Sequence, residues 1–252
     1  MSAAPRVSAL VVVATAAHVL LSACARATSN AGGAPGARHP WTQPGVLRLA
    51  DVAEPDSLDP LLSTMDLSYD LSSLMFSYLV SADAHGTPAG DLATEVPSLA
   101  NGGISPDGKT YTYHLRGGVR WHDGMPFTAR DVAFSWRLIM NPRNNVLHRE
   151  GYDQVARIDT PDDRTVVVHL KRRDPPFVTQ FFTTLQEGAK PIVPEHLLRG
   201  APEINDVPFN AHPVGTGPFR FVAWDRGRKI TLAANDAYFK GRPKLERVEL
   251  SI

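Results

Sequence analysis

Turn-forming residues cut the body of this chain into short pieces, and the pieces alternate between two hydrophobic periods. Ser105-Pro106-Asp107-Gly108, His122-Asp123-Gly124, Pro161-Asp162-Asp163 and Gly215-Thr216-Gly217-Pro218 are the strongest punctuation. Period-2 alternation marks strands at residues 46–50, 111–115, 155–158, 165–170, 219–224, 230–234 and 247–252. The spacing of Leu67, Leu71, Leu74, Met75 and Tyr78 predicts a helix over residues 66–79. Val132, Ala133, Trp136, Ile139 and Met140 form one face of a second helix. Thr128 and Asp131 open it as a capping box, and Asn141-Pro142 stops it. Residues 177–185 and 194–198 also read as helical, the latter with proline in its first turn. Helices and strands follow one another irregularly, and residues 155–170 read as an antiparallel hairpin. That order excludes a doubly wound parallel sheet and predicts an α/β chain with a mixed sheet, hairpins and flanking helices.

The N-terminus follows different rules. A short region with one positive charge, Arg6, precedes a run from Val7 to Leu20 that is apolar except for Ser8, Thr15 and His18. Leu21-Ser22-Ala23 then brings small residues up to Cys24. This is the layout of a secretory signal over residues 1–23, too short and wrongly flanked for a membrane span. Cys24 is the only cysteine in 252 residues. Its place after Leu-Ser-Ala resembles a bacterial lipobox, which implies lipid attachment at Cys24 and anchoring to a membrane. The alternative is an ordinary signal peptide. Residues 24–45, rich in Ala, Gly and Pro, read as a tether, which leaves residues 46–252 as the folded lobe.

Composition narrows the chemistry. Lys plus Arg equal Asp plus Glu at 26 each, so no charge excess points to nucleic acid. A lone cysteine excludes a disulfide framework or a multi-cysteine zinc site. The nine histidines show no ligand spacing, so no metal is expected. His114 alternates with core tyrosines, which turns it to the other sheet face, and His122 lies in a turn. No nucleophile elbow occurs, and Gly215-Thr216-Gly217-Pro218 lacks the Lys-Ser/Thr ending of a phosphate loop. No catalytic residue and no cofactor are expected, and the chain does not read as an enzyme. The aromatics exceed what a minimal core needs: they read as core packing, Trp136 on the apolar face of its helix above all, with a cleft wall as the alternative for some of them.

Several blocks in register resemble one family. They are Glu54-Pro55-Asp56-Ser57-Leu58-Asp59-Pro60; Asp107-Gly108-Lys109-Thr110-Tyr111-Thr112-Tyr113-His114-Leu115-Arg116; Trp121-His122-Asp123-Gly124-Met125-Pro126-Phe127-Thr128-Ala129-Arg130-Asp131-Val132; Gly215-Thr216-Gly217-Pro218-Phe219; and Asn235-Asp236-Ala237-Tyr238-Phe239-Lys240-Gly241-Arg242-Pro243-Lys244. The chain is similar to the family 5 extracytoplasmic solute-binding proteins of ABC transporters, which include dipeptide-, oligopeptide- and nickel-binding proteins. The resemblance implies a type II periplasmic-binding-protein fold of the peptide-binding class, represented by its first lobe and ending before the second. It implies a peptide or similar small solute as ligand and an ABC permease as partner. It also implies an extracytoplasmic place, in the periplasm or at the outer face of the cell membrane, with the second lobe on another chain or in a longer product. Comparison with relatives sets Ser63, Thr64, Met65 and Asp66 on the cleft wall, and His148 near a cleft aromatic. The alternative is a non-transport lipoprotein that uses the lobe as an interaction or regulatory module.

Overall fold

The computed structural model describes residues 42–186 and 188–252. Cys24, the signal over residues 1–23 and the tether up to residue 41 lie outside the described residues. Gln43–Ile252 forms one compact unit.

Two sheets carry it. In the first, the order is β1 (Val46–Ala50), β9 (Arg247–Ser251), β8 (Lys229–Ala234), β7 (Phe219–Asp225). β1 runs parallel to β9, with Leu47 beside Val248, and the other pairings are antiparallel. The second sheet is ordered β4 (Thr110–His114), β6 (Thr165–Leu170), β5 (Val155–Asp162), all antiparallel. A short ribbon pairs β2 (Val80–Ala82) with β3 (Pro88–Gly90). Three α-helices, α1 (Asp66–Met75), α2 (Ala129–Met140) and α3 (Glu195–Leu198), and three short 3-10 turns complete the described elements. Mixed pairing is what the irregular order of strands and helices predicts.

Alternation decides which face is buried. Val166, Val168 and Leu170 of β6 point inward, opposite Tyr113 and Tyr111 of β4. His114 is exposed, as its place in the alternation requires. Each buried aliphatic side chain contributes about 1.5–3 kcal/mol relative to exposure. The aromatics close the inner side as one cluster. Tyr111 lies 4.8 Å from Phe177, Phe177 stacks on Phe181 at 4.9 Å, and Tyr152 meets Phe182 edge-on at 5.1 Å.

α2 begins as its sequence predicts, with Asp131 Oδ2 accepting the Thr128 N–H at 2.8 Å. Trp136 is only partly buried against the core, and its Nε1 donates to the Tyr152 carbonyl at 3.1 Å. α3 is a single turn that Pro194 precedes rather than opens.

Three boundaries differ from the sequence reading, each because tertiary partners take backbone groups that a local element would need. The helix expected over residues 66–79 ends at Met75. Beyond it the Tyr78 N–H donates to Asp91 Oδ2 at 2.9 Å, and the Gly217 N–H donates to the Met75 carbonyl at 2.8 Å. The helix expected over residues 177–185 is only a 3-10 turn, Pro175–Thr179. Phe182 has φ +46°, and Thr183 bridges to Val80 of β2. The run is apolar because Phe177, Phe181 and Phe182 are enclosed on all sides, not because one helical face is buried. The β5–β6 turn falls later than Pro161-Asp162-Asp163, because β5 continues to Asp162 and Asp162 Oδ1 accepts the Arg164 N–H at 2.7 Å.

Candidate functional site

The loop from Glu54 to Pro60 is fixed from both sides. Glu54 Oε1 accepts Trp224 Nε1–H at 2.8 Å and the Gly227 N–H at 2.9 Å, which ties the loop to the β7–β8 turn. Asp59 Oδ1 accepts the Leu61 N–H at 2.9 Å, and its carbonyl accepts those of Leu62 and Ser63 at 3.2 and 3.3 Å. The chain therefore turns tightly at residues 59–63 and enters α1 at Asp66.

That turn exposes some of residues 63–66 and uses the others. Ser63 is buried; its hydroxyl donates to Asp56 Oδ1 at 2.5 Å and accepts the Met65 N–H at 3.2 Å. Thr64 and Asp66 are exposed, while Met65 is half-buried. A cavity of about 320 Å³ is lined by Thr64, Asp66, Tyr69, His148 and Gly188. The structure thus brings Thr64, Asp66 and His148 together, and it does not bring Ser63 or Met65 to the cavity.

Tyr69 and Gly188 are lining residues that sequence reasoning missed. Tyr69 stands one helical turn beyond Asp66, a spacing that places both on one face and was available as a signal. Gly188 has no comparable signal. Its φ is +72°, and a Cβ there would lie 3.6 Å from His148 Cδ2 and 3.8 Å from Tyr69 Oη. The positive φ, rather than lack of room, is what favours glycine at this point.

A carboxylate, an imidazole, a phenol and a hydroxyl thus face one space. The set can hydrogen-bond a polar solute, and the aromatic rings offer apolar contact beside it. The His148 side chain is 57% exposed and its Nδ1 lies 3.9 Å from Glu150 Oε2. Among the described residues, no group of three or more His, Cys, Asp or Glu side chains is placed to hold a metal ion. A second cavity of about 390 Å³ opens on the same loop, between Asp56, Asn145, Asn205, Asp206, Asn210 and Arg226.

His122 lies in its predicted turn, yet it is half-buried and its ring holds the Gly215-Thr216-Gly217 loop: Nε2 lies 3.0 Å from the Gly217 carbonyl. Burial pushes this imidazole down to about 4, against partial compensation from the Gly217 contact. The sequence signal was present in the block containing Trp121-His122-Asp123-Gly124, but its partner lies 95 residues away.

Residues 88–252 match the family described as Bacterial extracellular solute-binding proteins, family 5 Middle. The oligopeptide-binding protein AppA of Bacillus subtilis is 31% identical over 237 residues, covering 93% of this chain and 42% of AppA. The di/tripeptide-binding protein 2 of Pseudomonas aeruginosa is 29% identical, covering 83% and 41%. Among solved structures, AppA in complex with a nonapeptide superposes with a TM-score of 0.72 at 30% identity, covering 83% of this chain and 41% of AppA. NikZ of Campylobacter jejuni, in complex with Ni(L-His), gives a TM-score of 0.72 at 28% identity, covering 83% and 39%. The chain spans about two-fifths of the length of these relatives. With a type II periplasmic-binding-protein fold and a family signature over most of its length, the chain belongs to family 5 of the bacterial extracellular solute-binding proteins.

Proposed function

We propose that the chain is the solute-binding lobe of an ABC importer receptor for peptides or similar small solutes, with Thr64, Asp66 and His148 on its cleft wall. The observation that carries this reading is the meeting of Thr64, Asp66, Tyr69, His148 and Gly188 around one cavity, from three separated segments. The printed functions of its relatives support it: AppA is an oligopeptide-binding protein, and DppA of Helicobacter pylori is crystallised with the peptide STSA. The chemistry is binding, not catalysis. In this reading residues 1–23 are removed and Cys24 carries the lipid. Residues 24–45 then tether the lobe at the extracytoplasmic face, where a permease receives the solute. A diacylglycerol with a further acyl chain exceeds the single-chain case that anchors only marginally.

Amide NMR of the chain titrated with a mixed tripeptide pool to millimolar concentration tests the cleft. Resonances of Thr64, Asp66, Tyr69 and Gly188 are expected to shift together. Shifts confined elsewhere, or none up to the highest millimolar peptide concentration at which aggregation is absent, would overturn the assignment. Attachment is tested separately by Cys24→Ser, which is expected to move the protein from the membrane to the soluble fraction; unchanged fractionation refutes the lipid anchor.

A further inference from the structure

The second cavity, of about 390 Å³, shares no lining residue with the first. Hydrogen bonds knit its walls together from four separated segments. The Leu58 N–H donates to the Asn210 carbonyl at 2.8 Å, which joins the loop at residues 54–60 to the segment at residues 205–211. The Asn145 N–H donates to Asn205 Oδ1 at 2.8 Å, and Asn205 Nδ2 donates to the Arg143 carbonyl at 2.8 Å, which adds a third segment. Arg226 arrives on the β7–β8 turn, which Glu54 holds through Trp224 and Gly227. The outline of the space is therefore set before any solute enters it. Its volume lies in the usual range for small-molecule sites, about 300–1,000 Å³.

The charges on its walls are unpaired. Asp56, Asp206 and Arg226 all line this space, yet among the described residues none of them forms an ion pair. Asp56 uses only Oδ1, which accepts the Ser57 N–H at 2.8 Å and the Ser63 hydroxyl at 2.5 Å; no described group donates to Oδ2. Asp206 and Arg226 are exposed. The Arg226 guanidinium is steadied by the Trp224 ring, whose centre lies 3.3 Å away, rather than by a carboxylate. Asn210 Nδ2 donates to the carbonyls of Ile204 and Asn205, both at 3.0 Å, which fixes the orientation of the amide. Its Oδ1 is buried without a partner. That dipole adds negative potential on the segment that carries Asp206. A lone divalent cation would meet the two carboxylates but also the guanidinium, which repels it, and a lone anion would meet the reverse. A solute with an ammonium at one end and a carboxylate at the other satisfies both signs at once.

We propose that this cavity is a second solute site, for a small zwitterion: Asp56 Oδ2 and the Asp206 carboxylate receive its ammonium, and the Arg226 guanidinium receives its carboxylate. The site is distinct from the cavity of Thr64, Asp66 and His148, so it stands or falls independently of the reading of that cavity.

The probes are glycine, β-alanine and γ-aminobutyrate, which carry the same two charged ends at increasing separation. Propylamine and propionate carry one end each, and calcium chloride tests a cation. Amide NMR of the full chain is followed at constant pH and ionic strength, because exposed charges are screened by salt. At least one zwitterion is expected to shift the Ser57, Asp206 and Ala211 backbone amides and the Asn145 carboxamide saturably, with Gly188 unmoved. The single-ended probes should bind about fivefold more weakly or worse, and Asp206→Asn or Arg226→Gln should weaken the zwitterion about fivefold. Both side chains are exposed and unpaired, so these variants keep the fold; Asp56 is left intact because it holds Ser63. Saturable shifts that survive both variants unchanged overturn the proposal. So do the absence of a shift from any zwitterion, a response confined to Tyr69 and Gly188, a response to calcium alone, or propylamine binding as tightly as the best zwitterion. Should a variant not fold, the comparison of zwitterions with single-ended probes in the native chain decides by itself.

Discussion

His122 and Gly215 bond to each other twice: the His122 N–H donates to the Gly215 carbonyl at 2.9 Å, and the Gly215 N–H donates to His122 Nδ1 at 3.1 Å. With Nδ1 accepting and the Gly217 carbonyl 3.0 Å from Nε2, the ring proton belongs on Nε2 and the imidazole is neutral. A protonated ring would turn a second N–H toward the Gly215 N–H. The turn at residues 121–124 and the loop at 215–217 are therefore one unit built across 93 residues of chain.

That unit predicts acid sensitivity. The folded imidazole titrates near 4, against 6.5 for a free histidine, so between those values the unfolded chain binds the extra proton first. The stability contributed by neutral burial is present above pH 6.5 and is lost as pH falls toward 4. Asp59 works in the opposite sense, because its raised affinity favours the folded state in acid, so the native chain alone does not isolate the effect. The stability difference between native chain and His122→Gln, from urea unfolding, is expected to shrink by about 2 kcal/mol from pH 7 to pH 5. A pH-independent difference would refute the neutral-histidine assignment.

Gly215 predicts a steric limit. A Cβ at that position would lie 1.9 Å from the Met75 carbonyl oxygen, and at Gly217 2.5 Å from the Met75 carbonyl carbon. Both obstacles are backbone, so no rotamer change relieves them. Gly215→Ala is expected to cost roughly 3 kcal/mol or more and to lower the thermal midpoint by several degrees. Gly102→Ala, where φ is +73° but nothing lies within 4 Å of the added carbon, separates packing from conformational strain and should cost only about 1 kcal/mol.

Asp131 joins two helices. Its Oδ2 caps α2 at the Thr128 N–H, and its Oδ1 accepts the Glu195 N–H at 3.0 Å where α3 begins. Burial raises this carboxyl, against the two backbone donors that favour its charge. Asp131→Ala removes both caps and should cost roughly 2–4 kcal/mol, whereas Thr128→Ala should cost about 1 kcal/mol. Equal losses in chemical denaturation would show that the link to α3 contributes nothing.

The cavity predicts its own disruption. Thr64 and Asp66 are exposed, so replacing both with tryptophan should fill the space while leaving the fold intact. Peptide-induced NMR shifts at Gly188 should disappear in that variant with little change in thermal midpoint. Peptide-induced shifts retained in the double variant would remove this cavity from the binding path.

Local chemistry made the strands and α2 legible. β6 alternates cleanly because one face packs on tyrosines, and Thr128 with Asp131 states the start of α2 within four residues. The site was legible only in part. Thr64, Asp66 and His148 were reached through family resemblance, and Tyr69 through a spacing that passed unused. Gly188 carries no local pattern at all. The error over residues 177–185 has the same root: Phe177, Phe181 and Phe182 are buried on every side, and an apolar run enclosed from all directions has no diagnostic period.

The sequence by itself determined most of the strands, the start of α2, the family and the segments carrying Thr64, Asp66 and His148, because each is written in side-chain period, turn chemistry or ordered motif within a few residues. Only the tertiary structure decided where α1 stops and that His122 is a neutral link to Gly215 and Gly217. Those outcomes depend on which backbone carbonyl or buried charge arrives from 13 to more than 100 residues away. Desolvation and hydrogen-bond satisfaction fix them once the chain is packed, and neither is defined until then.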